Sequence, residues 1–213
     1  MAEKTRVQEE FESLSKVPRY SFYTSKIIDY CIDWALDHGL DYYHDDVNGN
    51  IVISRPAAPG KEDHPGIVLQ GHLDMVPVTD PGVEHDWNNE GIDLYIDGDF
   101  YKARGTTLGA DDGMGVAIAF ALLTDETLDN PHLEVLLTTN EEVGMLSVKN
   151  ADLTILKGKY MLNLDSGGEG KFTVGCCGGE TVKVIIPEKR EKTAWKGFRL
   201  SISGLKGGHS GIE

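Results

Sequence analysis

At 213 residues with 40% hydrophobic side chains, the chain is long enough to bury a core, as one domain or as one domain and part of another. Its formal charge of −15 argues against nucleic acid and anionic membrane as partners. No run approaches the roughly 18 apolar residues of a membrane span, and the polar, mixed-charge start MAEKTRVQEEFESL lacks the character of a signal peptide.

Residues 5–16 alternate charge with Val7, Phe11 and Leu14, the pattern of a short amphipathic helix. Thr24 is placed to cap a longer helix through Leu36, with Ile27, Ile28, Cys31, Ile32, Trp34 and Ala35 apolar, and His38-Gly39 to end it. VNGNIVIS reads as a turn at Asn48-Gly49 followed by a strand from Asn50. The Pro- and Gly-containing run 55–66 is a surface loop, and IVLQ at 67–70 a short apolar strand. LYIDGDFYKA reads as a hairpin about Asp97-Gly98. A helix over 113–124 follows, then strands at 132–139 and 159–165. KFTVG, ETVKVII and FRLSISG are β-like segments late in the chain.

The order of the first 165 residues predicts an α/β fold, a mixed central sheet with helices on both faces. After Gly178 the character changes to strands joined by the charged connector PEKREKTAWK, so a second domain is expected to begin there. The cysteines Cys31, Cys176 and Cys177 make no disulfide framework. Neighbouring cysteines seldom bridge each other, and reduced thiols in the cytoplasm are the expectation.

In open α/β sheets, ligands sit at the carboxyl ends of strands. IVLQ is followed by Gly71-His72-Leu73-Asp74, EVLLTT by Asn140-Glu141-Glu142, and YMLNL by Asp165. Asp111 and Asp112 stand just before a helix. Singly, each of these is a surface pair, a solvated loop or a helix cap; paired carboxylates before a helix are good caps. Together they put one imidazole and several carboxylates at one rim, a donor set that suits zinc or a neighbouring divalent ion. Residues two apart in extended chain share a side, so Asp74 can hold the far nitrogen of His72 while His72 binds metal. Of two adjacent glutamates, one can bind metal while the other faces the attacking water as a base.

The stretches LQGHLDMV, DGDFYKARGTTLGADDGMGVA, TTNEEVGM, LNLDS, VGCCGG and ISGLKGGHSGIE resemble the zinc aminopeptidase/carboxypeptidase family that also holds aminoacylases and desuccinylases. Within it they look most like the aminoacyl-histidine dipeptidase branch. The resemblance runs from about Phe11 to the end of the chain. It implies a catalytic domain over 1–178 and the beginning of a smaller α+β lid or dimerisation domain over 179–213. It further implies two divalent ions, zinc first, with cobalt or manganese as alternatives. His72, Asp111 and Asp165 match the ligands of one ion, with Asp111 bridging to a second held by Glu142. Glu141 matches the general acid/base, Asp74 the carboxylate orienting His72, and His209 a lid histidine that steadies the oxyanion. Asp112 is not carried over as a ligand, and the peptide joining it to Asp111 is expected to be cis. The implied partners are a dipeptide substrate, Xaa-His among others, and a second copy of the chain through the lid.

The family carries one more zinc-binding histidine downstream, which these residues do not include. His38, His44, His64, His85 and His132 sit in settings that do not replace it. On that basis the chain reads as the N-terminal part of a longer enzyme, with weak metal binding at the second position and no dipeptidase activity by itself. Two other readings remain open at this stage, a deacylase of N-acyl amino acids and a non-catalytic binding or dimerisation module.

Overall fold

The computed structural model describes residues 4–168, 170–175, 178, 182–189, 191–192, 194 and 196–203. The first helix, α1 (Arg6–Ser15), opens on a capping box: the Thr5 hydroxyl accepts from the Gln8 N–H, and the Gln8 side chain accepts from the Thr5 N–H at 2.8 Å. Its apolar spacing buries Phe11 and Leu14. The second, α2 (Ser25–Asp37), follows Thr24, which makes no side-chain cap, and buries Ile27, Ile28, Cys31, Trp34 and Ala35. It ends at His38, whose Nδ1 lies 2.7 Å from the Trp34 carbonyl.

Five strands form one sheet: β1 (Asp41–Asp45), β2 (Asn50–Arg55), β3 (Ile67–His72), β6 (Leu133–Thr138) and β7 (Tyr160–Asn163), in the order β1-β2-β6-β3-β7. Strand β3 runs parallel to both its neighbours, β6 and β7, while β2 is antiparallel to β6 and β1 antiparallel to β2. The polar edge strand β1, DYYHD, carries no apolar alternation to announce it; it forms because the Asp45 carboxylate accepts from the N–H groups of Val47 and Asn48 and closes the turn into β2. Strands β4 (Leu94–Asp97) and β5 (Phe100–Ala103) make the separate hairpin expected about Asp97-Gly98.

The two-residue period of the strands sorts their side chains onto two faces. Ile51, Ile53, Leu69, Leu133, Val135 and Leu137 point into one core with α1, α2 and α3 (Ala110–Thr124), where Trp34 and Phe120 stack with ring centroids 3.9 Å apart. Val52, Val68 and Leu136 point the other way, against Ile155 and Leu156 beside two short 3-10 turns at Val148–Asn150 and Leu153–Ile155. The result is the α/β class read from the sequence. Because α3 lies in the crossover from β3 to its parallel neighbour β6, its N-terminus returns to the carboxyl ends of those strands. That return carries Asp111 and Asp112 to the rim where His72, residues 139–142 and Asp165 emerge.

The chain divides into two compact units, Met1–Glu169 and Gly170–Glu213. The late β-like segments correct the sequence reading: among the described residues, 171–175, 182–186 and 198–203 form no strand. Val174, Val182, Val184, Ile185, Ile186, Phe198, Leu200 and Ile202 are exposed there. Strand propensity needs a partner's N–H and C=O groups to become a strand. Cys176, Cys177 and His209 lie outside the described residues.

Candidate metal centre

The last residue of β3, His72, is buried to 1% exposure. Its Nδ1 lies 2.9 Å from the Asp74 backbone carbonyl and 3.5 Å from the Asp74 carboxylate, which leaves Nε2 to face outward. Asp74 therefore holds the far nitrogen as the spacing suggested, with its main chain making the closer approach. Nε2 lies 3.0 Å from Asp111 Oδ1 and 3.8 Å from Asp165 Oδ2.

Asp74 is itself fully buried. It accepts from the Ser21 hydroxyl at 2.7 Å and from the main-chain N–H groups of Glu141 and Glu142 at 3.0 and 3.4 Å. Burial pushes its carboxyl up, but the His72, Ser21 and Glu141 hydrogen bonds prevail and hold it below the usual range. One carboxylate thus orients both the histidine and the Glu-Glu turn. That turn is set by Asn140, at φ +55°, whose side-chain oxygen accepts from the Phe22 N–H at 2.6 Å.

The paired aspartates divide their work. The peptide between them is cis. Asp111 turns outward, its side chain 71% exposed, into the space before His72. Asp112 turns inward and accepts from the His72 N–H at 3.2 Å. A Cβ on Gly71 would stand 2.5 Å from the Asp112 Oδ2, and one on Gly115 would overlap the same carboxylate. Those two glycines are therefore clearance for a buried acid. Burial raises the Asp112 pKa to about 7, with the Asp165 and Asp111 charges adding to it against the pull of His72.

Two triplets converge with donor atoms within 4.8 Å of one another: His72, Glu141 and Asp165, and His72, Asp111 and Glu142. The structure thus brings together His72, Asp74, Asp111, Glu141, Glu142 and Asp165 out of four separate chain segments; His72–Asp111–Asp165, the set the resemblance implies, is not itself one of the two close triplets. Burial of His72 lowers its proton affinity, yet Asp74, Asp112 and Asp111 outweigh burial and raise its pKa to about 9. Glu141 and Glu142 are both pushed up, by burial first, with Asp165 and Asp74 contributing at Glu141 and Asp111 at Glu142. A cavity of about 270 Å³ opens beside Glu141 and Asp165, lined by Thr138, Met145 and Met161. A second, of about 290 Å³, opens beside Asp111 and Glu142, lined by Met75 and Leu108.

Sequence reading missed Arg19, Ser21 and Asn140, all of which support this cluster. Each is a single polar residue in a loop, with no period or spacing to mark it; only their partners, and for Arg19 and Ser21 their burial, single them out.

Comparison with known proteins sets this fold among peptidases. No family model matches the chain. It is 40% identical over 205 residues to the cytosol non-specific dipeptidase of Escherichia coli (strain K12), a match covering 95% of this chain and 42% of that protein. The solved aminoacylhistidine dipeptidase from Vibrio alginolyticus matches with a TM-score of 0.74 and 39% identity, covering 78% of this chain and 34% of that one. An aminopeptidase, PepT, from Bacillus cereus matches with a TM-score of 0.65 and 26% identity, over 76% of this chain and 43% of that one. The chain is thus a homologue of these dipeptidases, and it spans less than half the length of these relatives.

Proposed function

We propose that the chain supplies the metal site of a dipeptidase that holds two divalent cations, zinc first, and hydrolyses dipeptides, Xaa-His among them. The observation that carries the reading is the convergence of His72 with two pairs of carboxylates, Glu141 with Asp165 and Asp111 with Glu142, at the carboxyl rim of the sheet. The residues fit such ions. Ligands about 2.0–2.2 Å from zinc stand about 3.4 Å apart in a tetrahedron, and His72 Nε2 lies 3.0 and 3.8 Å from its two aspartate neighbours. The donor set is one imidazole with oxygen ligands, which suits zinc, cobalt or manganese. Asp111, being exposed, can turn about its Cα–Cβ bond to serve both positions.

His72, Asp111 and Asp165 would hold one cation, and Glu142 with Asp111 the other. Divalent cations bound there supply Lewis acidity for an acyl carbon and lower the pKa of water. Glu141 faces the same space with its pKa raised by burial, so it is suited to take a proton from the attacking water and deliver it to the leaving amine. Asp74 keeps the His72 Nε2 lone pair available by engaging Nδ1. The cavities beside Glu141 and Asp111 leave room for a substrate side chain on either side. By the same resemblance, 1–178 forms the catalytic domain and 179–213 begins a lid through which two copies pair, with His209 at the oxyanion. A cytosolic location follows the name of the Escherichia coli relative.

The test is cation binding by the purified chain. Zinc or cobalt should bind at neutral pH to wild type and to Glu141→Gln, and Glu142→Gln should lose affinity for the second ion while keeping the first. A wild-type chain that takes up neither ion defeats the reading. Equal loss in the two glutamate variants would defeat the division of labour between them. In the protein carrying the whole site, Glu141→Gln should abolish hydrolysis of Ala-His while metal content is kept.

A further inference from the structure

We propose that Arg19 is a positioning residue for this metal site: its buried guanidinium clamps the two chain segments that present His72 and Asp111. The inference rests on the metal-site reading above. Arg19 is 3% exposed. Its Nη1 donates to the Leu73 carbonyl at 2.8 Å, and its Nη2 donates to the Gly109 carbonyl. Leu73 lies between His72 and Asp74, and Gly109 lies two residues before Asp111. One planar group therefore ties together two loops that are 36 positions apart in sequence (109 minus 73). A guanidinium offers its donors in a rigid plane, so two carbonyls bound to one fork are held at a set spacing.

The surroundings are shaped for this group. A Cβ on Gly109 would stand 2.7 Å from Nη2, and one on Gly113 2.5 Å from it. The glycines of LGADDGMG therefore serve two ends, Gly115 admitting Asp112 and the other two admitting Arg19. Its main chain is anchored on the same segment: the Arg19 carbonyl accepts from the Met75 N–H at 3.1 Å, and the Ser21 N–H donates to the Met75 carbonyl at 3.4 Å. Ser21 then reaches Asp74 through its hydroxyl. Residues 19–21 thus lie along 73–75 as a splint.

Charge points the same way. The acids whose charge most opposes the desolvation of Arg19 are Asp74 and Asp112, both buried. Burial lowers the Arg19 pKa to about 10, which leaves it protonated at neutral pH. A fixed positive charge on that side offsets the two buried acids without competing for the outward-facing ligands Asp111, Glu142 and Asp165. Nε has no hydrogen-bond partner among the described residues, so the group's polar engagement is concentrated on the two carbonyls.

The experiment titrates Co²⁺ into the purified chain and reads both the dissociation constant, by chelator competition, and the visible ligand-field spectrum. Arg19→Lys keeps the charge and loses the fork; Arg19→Met loses both. Arg19→Lys should weaken Co²⁺ binding about tenfold and alter the spectrum, and Arg19→Met should weaken it by up to about 100-fold, the range for partners that orient metal ligands. Gly113→Ala, which crowds Nη2 and leaves every charge in place, should alter the spectrum in the same sense and keeps the test open should Arg19→Met fail to fold. Melting temperatures of the cation-free variants serve as the control. Variants that melt lower but bind Co²⁺ with wild-type affinity and spectrum would make Arg19 a purely structural residue and overturn the proposal. A wild-type chain that binds no Co²⁺ would instead remove the metal site itself.

Discussion

The two ends of the parallel pair β3 and β6 each bury an acid, and the acids behave differently. At the amino end Glu134, 2% exposed, accepts from the N–H groups of Lys157 and Gly158 at 2.7 to 3.1 Å. Its oxygens are spent on main-chain donors that stitch the connection into β7 to the sheet. At the carboxyl end Asp74 likewise accepts main-chain N–H groups, from Glu141 and Glu142, but it also lies against the His72 ring and a serine hydroxyl. Beyond it stand Asp111, Glu141, Glu142 and Asp165, carboxylates aimed at one another across open space. A buried acid saturated by amides stabilises the fold. Acids that converge on one another at a rim suit the binding of a cation or the transfer of a proton.

That contrast can be broken or sharpened in order of expected effect. The largest effect falls on His72→Ala, which should weaken Co²⁺ or Zn²⁺ binding by more than about 100-fold, beyond the range for an orienting partner; isothermal titration reads it directly. Next is Asp74→Asn, expected to cost about 10- to 100-fold in metal affinity because His72 and the Glu-Glu turn lose their shared anchor. Then comes Glu134→Ala, which should lower unfolding stability by about 1–3 kcal/mol through the orphaned amides of Lys157 and Gly158. It should leave metal affinity within about twofold, as expected for a distant, independent site. If Glu134→Ala instead stripped the metal, the distinction between the two ends would fall.

A separate readout is a slope with pH. In EDTA, Asp112 and His72 carry folded-state pKa values raised to about 7 and about 9. A raised folded pKa means the folded chain holds more protons than the unfolded one, so its contribution declines as pH rises. For Asp112 that decline runs from about 4 to 7, and for His72 from about 6.5 to 9. The cation-free chain should therefore melt at progressively lower temperature from pH 5 to pH 9, and Asp112→Asn should flatten the lower part of that slope. Scanning calorimetry would show it; a melting temperature that climbs across the whole range would contradict the assigned shifts.

Much of the site was legible before any coordinates. His72, Asp74, Glu141-Glu142 and Asp165 each follow an apolar strand, and the rule that ligands gather at carboxyl ends brings them together. The helices declared themselves through apolar spacing, and β2, β3 and β6 through alternating or continuous apolar runs. Strand β1 was not legible, because its residues are polar and its order comes from the Asp45 turn. The late segments were misread, since β-branched composition alone does not supply a neighbouring strand.

What the sequence determined by itself was the class of fold and the inventory of donors, because burial pattern and residue chemistry are local properties of the chain. What only the tertiary structure decided was that Asp112 is buried as the acceptor of the His72 N–H, and that Arg19 spans two loops. Those outcomes depend on clearances at Gly71, Gly109, Gly113 and Gly115 against groups far away in sequence. No linear spacing encodes a distance that exists only after β3 and α3 have packed together.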